Sequence, residues 1–342
     1  MIQIEELTKY YGERKAVGPL SFTIDKGEVV GLLGLNGAGK TTTLRMLSSD
    51  LLPTSGRMRV DGVDLVESPE KVRPKIGYLP DRPPLYGEMT VKEFLRFAAK
   101  LKRTKGDVDK RVAEVIELTD AGEYANARID TLSHGYRQRV GIAQAIVHKP
   151  KLLLLDEPIS GLDPVQIVEM RALIRSLRGE HTTVVSSHIL SEISETCDRV
   201  LVIRDGEIVA AGTEEELRER MGDDDALPLG PAGTVTRRSA VRKVTLIARA
   251  PEGKDIAHLL GLIKAIEGVD EAREAEALGE GKGALAVAIV TGTDVREELV
   301  KTVVTSGYGL LGLERDSKEL ESVFLELTKK GRRKAPDAEA KP

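Results

Sequence analysis

The sequence contains little of the chemistry that suits an oxidising compartment or a membrane interior. Its 342 residues include one cysteine, Cys197, and no tryptophan, and aromatic residues make up only 3%. One cysteine excludes an intrachain disulfide and a cysteine-based zinc site, so we expect a reducing compartment, the cytoplasm by default. The longest apolar runs, such as 152–155 and 284–290, are far shorter than the roughly 20 residues that span a bilayer. We therefore expect a chain that does not cross a membrane.

Bulk charge and the first residues give no sign of nucleic-acid binding or secretion. The 51 Lys+Arg residues against 55 Asp+Glu leave a formal charge of -4, which is too small to indicate a nucleic-acid surface. Residues 1–12 lack a basic start followed by an apolar stretch, so no secretion signal is predicted. The length, with 41% hydrophobic residues, predicts a globular protein of two domains.

Residues 1–221 are predicted to form an α/β domain. Short β-rich apolar segments alternate with helical ones, which favours a partly parallel sheet. Two Asp-Gly pairs, Asp61-Gly62 and Asp205-Gly206, are typical of tight hairpin turns, so the sheet is predicted to be mixed. Apolar residues repeat at helical spacing after Val91, which predicts a helical subdomain over about 82–131.

The remainder of the chain is predicted to form a second, smaller domain. Residues 222–240 are rich in Gly, Pro and acidic residues without periodicity and indicate a linker. Residues 241–328 alternate as strand, helix, strand, strand, helix, strand before a last helix, which predicts an α+β ferredoxin-like domain. Residues 329–342 are basic and aperiodic and are expected to be a disordered tail.

A phosphate-binding motif stands early in the chain. Residues 34–41, GLNGAGKT, fit G-x-x-x-x-G-K-[ST] between a predicted strand and a predicted helix. Glycines let backbone N–H groups turn towards phosphate oxygens, and the helix N-terminus adds partial positive charge. An ordinary glycine-rich turn is the alternative. The residues expected to bind ATP here are Gly34, Asn36, Gly37, Ala38, Gly39, Lys40, Thr41 and Thr42, with Lys40 on the β- and γ-phosphates and Thr41 on Mg²⁺.

Two adjacent carboxylates end a later apolar strand. The segment KLLLLDE, residues 151–157, delivers Asp156 and Glu157 to the edge where α/β sheets bind ligands. Since neighbouring strand residues face opposite sides, Asp156 is expected to reach the metal and Glu157 to polarise a water for attack on the γ-phosphate. The alternative is a strand that simply leaves the core through acidic residues.

A third segment indicates the subclass. LSHGYRQRV, residues 132–140, resembles the LSGGQ-type signature of ABC ATPases. Ser133 is a good helix N-cap and Gly135 permits close backbone approach. The resemblance implies that this helix terminus, with Ser133 and Gly135, grips the γ-phosphate of the ATP held by the opposite subunit. It therefore implies a homodimer that closes around two ATP molecules.

Other residues follow in the order that the family requires. Tyr11 resembles the aromatic residue that stacks on adenine, with Tyr10 as the competing candidate, and Asp163 lies in a segment, 160–163, that resembles the D-loop. His188 corresponds to the switch histidine near the γ-phosphate. The resemblance thus gives three expected catalytic residues, which are Glu157, His188 and Lys40.

The sequence also departs from the family pattern. Asp81 follows IGYLP, residues 76–80, where the family usually has glutamine. An ionised aspartate accepts hydrogen bonds but donates none, so Asp81 is expected to join Thr41 and Asp156 at Mg²⁺. His134 and Tyr136 replace the commoner Gly and Gln of the signature, and both are expected to leave Ser133 and Gly135 available.

The resemblance implies an ATP-binding and hydrolysing subunit of a drug, polysaccharide or gliding-type ABC exporter with MgATP as its cofactor. Such a subunit works with a separate transmembrane permease, lies peripherally on the cytoplasmic face of the membrane and binds no nucleic acid. Closure on ATP would drive the permease between states. Two alternatives stay open: a non-transport ABC ATPase acting in translation or on DNA, and an ATPase gated by a ligand-sensing C-terminal domain.

Overall fold

The computed structural model describes residues 2–220, 242–251, 254–275, 284–291, 293 and 295–315. The residues form two compact units, of which the first includes Met1–Glu214 and the second begins at Glu215. The predicted linker 222–240, the last helix and the tail 329–342 lie outside the described residues, so the predicted domain boundaries remain predictions.

The strands of the first unit form two sheets. In chain order they are β1 (Ile2–Tyr11), β2 (Arg14–Ile24), β3 (Val29–Leu33), β4 (Ser55–Val60), β5 (Val63–Asp64), β6 (Ile76–Leu79), β7 (Leu152–Asp156), β8 (Thr182–Ser187), β9 (Arg199–Arg204) and β10 (Glu207–Gly212). A 4-stranded antiparallel sheet has the order β2-β1-β4-β5, and a 6-stranded sheet has the order β10-β9-β3-β8-β7-β6. In the larger sheet only β9 and β10 pair antiparallel. The predicted mixed sheet is confirmed, and both Asp-Gly pairs lie between paired antiparallel strands.

The helices of the first unit surround these sheets. They are α1 (Lys40–Leu47), α2 (Pro69–Val72), α3 (Val91–Leu101), α4 (Val108–Leu118), α5 (His134–Ile146), α6 (Pro164–Ser176) and α7 (Leu190–Ser194), with 3₁₀ turns at Arg73–Lys75, Gly122–Tyr124 and Ile129–Thr131. Helix α8 (Glu214–Arg220) begins at the last residue of this unit, and its other residues belong to the second. Helices α3 and α4 lie within the predicted helical range. The spacing of Leu44, Leu47 and Leu51 predicts a helix that reaches Leu51. Helix α1 ends earlier, at Leu47, and Ser49 beyond it takes a positive φ of 65°.

The larger sheet brings the polar ends of three strands to one edge. Every residue of β3 and β7 is buried, as expected for strands covered on both faces. In the parallel register, Leu33 pairs with Ser187 and Asp156 pairs with Ser186. Because parallel strands end at the same edge, the chain segments that follow β3, β7 and β8 must lie together there.

The second unit has the predicted ferredoxin-like arrangement. Its elements are β11 (Arg242–Arg249), α9 (Ile256–Lys264), β12 (Val269–Ala275), β13 (Ala284–Thr291), α10 (Arg296–Thr305) and β14 (Gly309–Arg315). The sheet order is β12-β13-β11-β14, with antiparallel pairs throughout, which is a split βαβ topology. Apolar residues of α9 and α10, such as Leu259 and Leu299, pack on the central strands at Leu246 and Val287.

Within the part of the chain that the structure describes, no helix combines the length and the apolar character of a bilayer-spanning segment.

Candidate nucleotide-binding site

The phosphate loop joins β3 to α1 and depends on its glycines in two ways. Gly37 and Gly39 have φ values of 82° and 109°, a region that side chains rarely adopt. A Cβ at Gly34 would lie 2.5 Å from the carbonyl oxygen of Ile203. Packing against β9 therefore requires Gly34 independently of any phosphate. Asn36, Gly37 and Thr41 are exposed, whereas Ala38 is buried in the core.

Lys40 links this loop to the carboxylates after β7. Its side chain is only 5% exposed. Its ammonium donates a hydrogen bond to the carbonyl of Gly34 at 2.7 Å and lies 3.2 Å from Oε1 of Glu157. A buried ammonium needs such partners, because an unpaired charge in the interior is very costly.

Glu157 brings the three predicted catalytic residues together. Its other carboxylate oxygen, Oε2, lies 2.9 Å from Nδ1 of His188, so Lys40 and His188 hold opposite oxygens of one carboxylate. We expected Asp156 and Glu157 to point in different directions because neighbouring residues of a strand face opposite sides. Strand alternation is not the cause. Glu157 lies just beyond β7 and has a φ of 48°, so a left-handed backbone conformation separates its direction from that of Asp156.

Asp156 has the surroundings of a cation ligand. It is fully buried, and its Oδ1 accepts a hydrogen bond of 2.6 Å from the hydroxyl of Ser186. Within the described residues its Oδ2 has no hydrogen-bond partner. Burial raises the pKa of Asp156, although the hydrogen bond from Ser186 lowers it. A buried carboxylate oxygen without a donor is unfavourable, and it is the kind of ligand that Mg²⁺ prefers.

The three predicted metal ligands line one cleft. Thr41, Asp81 and Asp156 all border a space of about 620 Å³, and the negative charge of Asp81 helps to raise the pKa of Asp156. Within the described residues, no cluster of three or more His, Cys, Asp or Glu side chains could hold a metal ion. The residues fit Mg²⁺ in its usual protein setting, where one or two carboxylates act together with phosphate oxygens.

Ser186 is a functional residue that sequence reasoning missed. Its hydroxyl donates to Asp156 and accepts a hydrogen bond of 2.9 Å from the backbone N–H of Glu157. It therefore fixes both carboxylate residues from the neighbouring strand β8. The available signal was the pair of serines, Ser186 and Ser187, at the end of a strand whose other residues are β-branched.

The signature segment contacts the start of α6. Ser133 is exposed and caps α5 by accepting from the N–H of Tyr136 at 3.4 Å. Gly135 lies close to α6, since a Cβ there would come within 2.6 Å of Oε1 of Gln166. The two unusual residues are also accommodated. His134 contacts Ser160, and the ring of Tyr136 lies 4.1 Å from that of Tyr124.

Two other predicted ligands have different surroundings. The Asp163 carboxylate caps α6, accepting from the N–H groups of Val165 and Gln166, so its side chain orders its own loop.

Tyr11 is 49% exposed and Tyr10 is 43% exposed, which rules out a buried packing role for either. The Lys9 ammonium lies 5.5 Å from the Tyr11 ring centre. Exposure leaves both rings available to a base.

Comparison with known proteins decides the family. A family model described as ABC transporter matches residues 17–160. The uncharacterized ABC transporter ATP-binding protein YxlF of Bacillus subtilis (strain 168) is 41% identical over 221 residues, which cover 64% of this chain and 73% of YxlF. The chain belongs to the ABC transporter ATP-binding proteins. The family expected from the signature segment is confirmed.

Two further likenesses concern this ABC ATPase. The bacitracin transport ATP-binding protein BcrA of Bacillus licheniformis is 39% identical over 224 residues, covering 64% of the ABC ATPase and 72% of BcrA. A solved dimeric ATP-binding cassette, in a post-hydrolysis state with ADP and Pi, is 26% identical with a TM-score of 0.57, covering 62% of this chain and 98% of that chain. The protein is thus an ATP-binding and ATP-hydrolysing subunit of an ABC transporter.

Proposed function

We propose that this ABC ATPase uses MgATP-driven closure of a homodimer to drive a separate membrane permease, with export as the direction. The observation that carries the proposal is the meeting of Lys40, Glu157 and His188 at one sheet edge. Beside them lies the unpartnered Oδ2 of Asp156, a site for a cation. Together they supply positive charge for phosphate, a carboxylate for water and a ligand for Mg²⁺.

In the Lys40–Glu157 ion pair, the phosphates of ATP can replace the carboxylate as the partner of Lys40. Lys40 lies 3.2 Å from Glu157 Oε1, and the phosphates of ATP compete with that carboxylate for the same ammonium. When Lys40 turns to the phosphates, Oε1 of Glu157 is released to accept a proton from the attacking water. His188 keeps hold of Oε2 and so maintains the direction of the carboxylate.

Mg²⁺, when bound, neutralises charge that develops on the β- and γ-phosphates. Thr41 and Asp156 would hold it, with Asp81 on the same cleft. Ser186 keeps Oδ1 of Asp156 occupied and so leaves Oδ2 as the oxygen for the cation. The phosphate-loop residues and an exposed tyrosine, Tyr11 or Tyr10, would bind the rest of the nucleotide.

Dimer closure is supported by the exposed Ser133 at the start of α5, where a helix N-terminus favours an anion from a second copy. The likeness to a dimeric cassette points the same way. The name of BcrA, a bacitracin transport ATP-binding protein, supports transport of an antibiotic-like substrate. A permease partner would place the protein peripherally at the cytoplasmic face of the membrane.

The test uses the Glu157→Gln variant, because it should bind MgATP without turning it over. In sedimentation velocity we expect this variant to form dimers with MgATP and monomers with MgADP. The Lys40→Ala variant should stay monomeric with both. Persistent monomers of Glu157→Gln at saturating MgATP would refute the closure mechanism.

A second experiment addresses the permease. The membrane protein encoded by the neighbouring gene is co-expressed and reconstituted in lipid nanodiscs with this ABC ATPase. We expect a stable complex whose ATPase rate differs from that of the free subunit. If the subunit dimerises on MgATP but the complex does not form, the proposed coupling is wrong and the ATPase assignment stands.

A further inference from the structure

A histidine at the signature position occupied more often by glycine connects two loops of the first unit. Nε2 of His134, at the start of α5, lies 3.0 Å from the carbonyl oxygen of Ser160. A carbonyl oxygen only accepts hydrogen bonds, so Nε2 carries the proton and donates. Glycine has no side chain and could not make this contact.

Ser160 in turn contacts the residue expected to orient water. Its backbone N–H donates to the carbonyl oxygen of Glu157 at 3.2 Å. The residue therefore receives a hydrogen bond from His134 on its carbonyl and gives one to Glu157 from its N–H. Glu157 has a φ of 48°, an uncommon conformation that depends on its surroundings. A shift of Ser160 would change the direction of the Glu157 side chain.

The start of α5 is held firmly enough to transmit such a shift. Gly135 packs against Gln166, where even a methyl group would lie 2.6 Å from Oε1. One turn later, Nη2 of Arg139 donates to Oε2 of Glu169 at 2.6 Å. These contacts fix α5 against α6, so His134 is carried on a supported helix rather than on a free loop.

We propose that His134 is a positioning residue that couples the two ATP sites of the dimer. The N-terminus of α5 contacts the ATP of the partner subunit in the proposed function, on which this inference rests. The hydrogen bond from His134 to Ser160 passes a displacement of that terminus to Glu157 of the same protomer. Occupation of one site thereby adjusts the carboxylate of the other.

Two variants separate the hydrogen bond from the bulk of the side chain. His134→Gln keeps an N–H donor at a similar reach, whereas His134→Met has similar length and no donor. MgATP hydrolysis by the full chain is followed as a function of ATP concentration, together with MgATP affinity and thermal unfolding. His134 is exposed, so both variants should unfold at the wild-type temperature.

We expect His134→Met to lower kcat by about three- to tenfold, as for the loss of one hydrogen bond. Its Hill coefficient should fall towards one while its MgATP affinity stays within about twofold of wild type. His134→Gln should restore most of both kcat and cooperativity. Wild-type kcat and cooperativity in His134→Met would overturn the inference, and so would equal losses in the two variants. Failure of the wild-type chain to dimerise on MgATP would refute the proposed function instead.

Discussion

The two units of the chain differ in what their interiors contain. Among the described residues, the buried polar and charged side chains lie almost entirely in the first unit, and they include Lys40 and Asp156. In the part of the second unit that the structure describes, the buried polar side chain is Thr291, and the buried Tyr308 bonds through its phenol to His258 at 2.9 Å. The described core of the second unit is otherwise apolar.

This difference indicates that the first unit contains groups that lower its stability and serve its function. A buried charge or an unpartnered polar atom lowers stability unless a ligand compensates for it. The first unit places two such groups, Lys40 and Asp156, together at one sheet edge beside Glu157. The second unit has the composition of a core that serves packing alone. Changes at this sheet edge should therefore alter nucleotide chemistry, and changes in the core of the second unit should alter stability.

The largest expected effect is that of Lys40→Ala, which should abolish MgATP binding. The variant removes the buried ammonium that lies between the loop carbonyl of Gly34 and the carboxylate of Glu157. Without it, Glu157 faces the phosphates with no intervening positive charge. Isothermal titration with MgATP measures the loss, and Lys71→Ala, an exposed lysine on α2, serves as the matched control. Near-normal affinity in Lys40→Ala would contradict the phosphate-loop assignment.

Glu157→Gln should leave MgATP affinity near wild type and lower turnover by about 10²- to 10⁴-fold, the usual contribution of a general base. An amide keeps the shape of the side chain but accepts a proton poorly. Phosphate release under saturating MgATP measures turnover, with Glu70→Gln on the surface of α2 as the control. Unchanged hydrolysis would remove the role assigned to Glu157 while leaving the binding site intact.

A matched cavity in the second unit should act on stability alone. Leu246 is fully buried in its core, and Leu246→Ala should lower the free energy of unfolding of this unit by about 2 to 5 kcal/mol. MgATP affinity and turnover should remain near wild type, because no described residue of the nucleotide site belongs to this unit. Calorimetry of the full chain, with and without MgATP, measures the stability and the affinity, and phosphate release measures the turnover. Loss of ATPase activity in a still-folded variant would break the comparison between the units.

The sequence predicted the contiguous parts of the site and missed its contacts between distant segments. The phosphate loop and the Asp156–Glu157 pair were found because each motif is continuous along the chain. Ser186 was missed because its bonds to Asp156 and Glu157 cross between two strands. The left-handed φ of Glu157 could likewise not be predicted from the alternation of residues along the strand, since it depends on tertiary contacts.

The fold was more predictable than the site because periodicity fixes which faces are buried. The strand and helix order of the second unit follows from alternation in β11 and helical spacing in α9. The end of α1 was missed, because two N–H groups after the helix, those of Asp50 and Leu51, bond back to the carbonyl of Arg45. Composition gave no signal for that local turn.

The smallest expected effect is a pH-dependent stability of the first unit. The pKa of His148 is lowered to about 4, first by burial and then by the positive charge of Lys102, against a hydrogen bond to the carbonyl of Ile76 that raises it. Unfolding restores a pKa of about 6.5, so the unfolded chain binds more protons and stability falls as pH drops from about 6.5 to about 4. His148→Gln keeps a donor for Ile76 and does not titrate. The urea midpoint of wild type should therefore fall more than that of His148→Gln between pH 7 and pH 5, and parallel declines would show that other groups dominate.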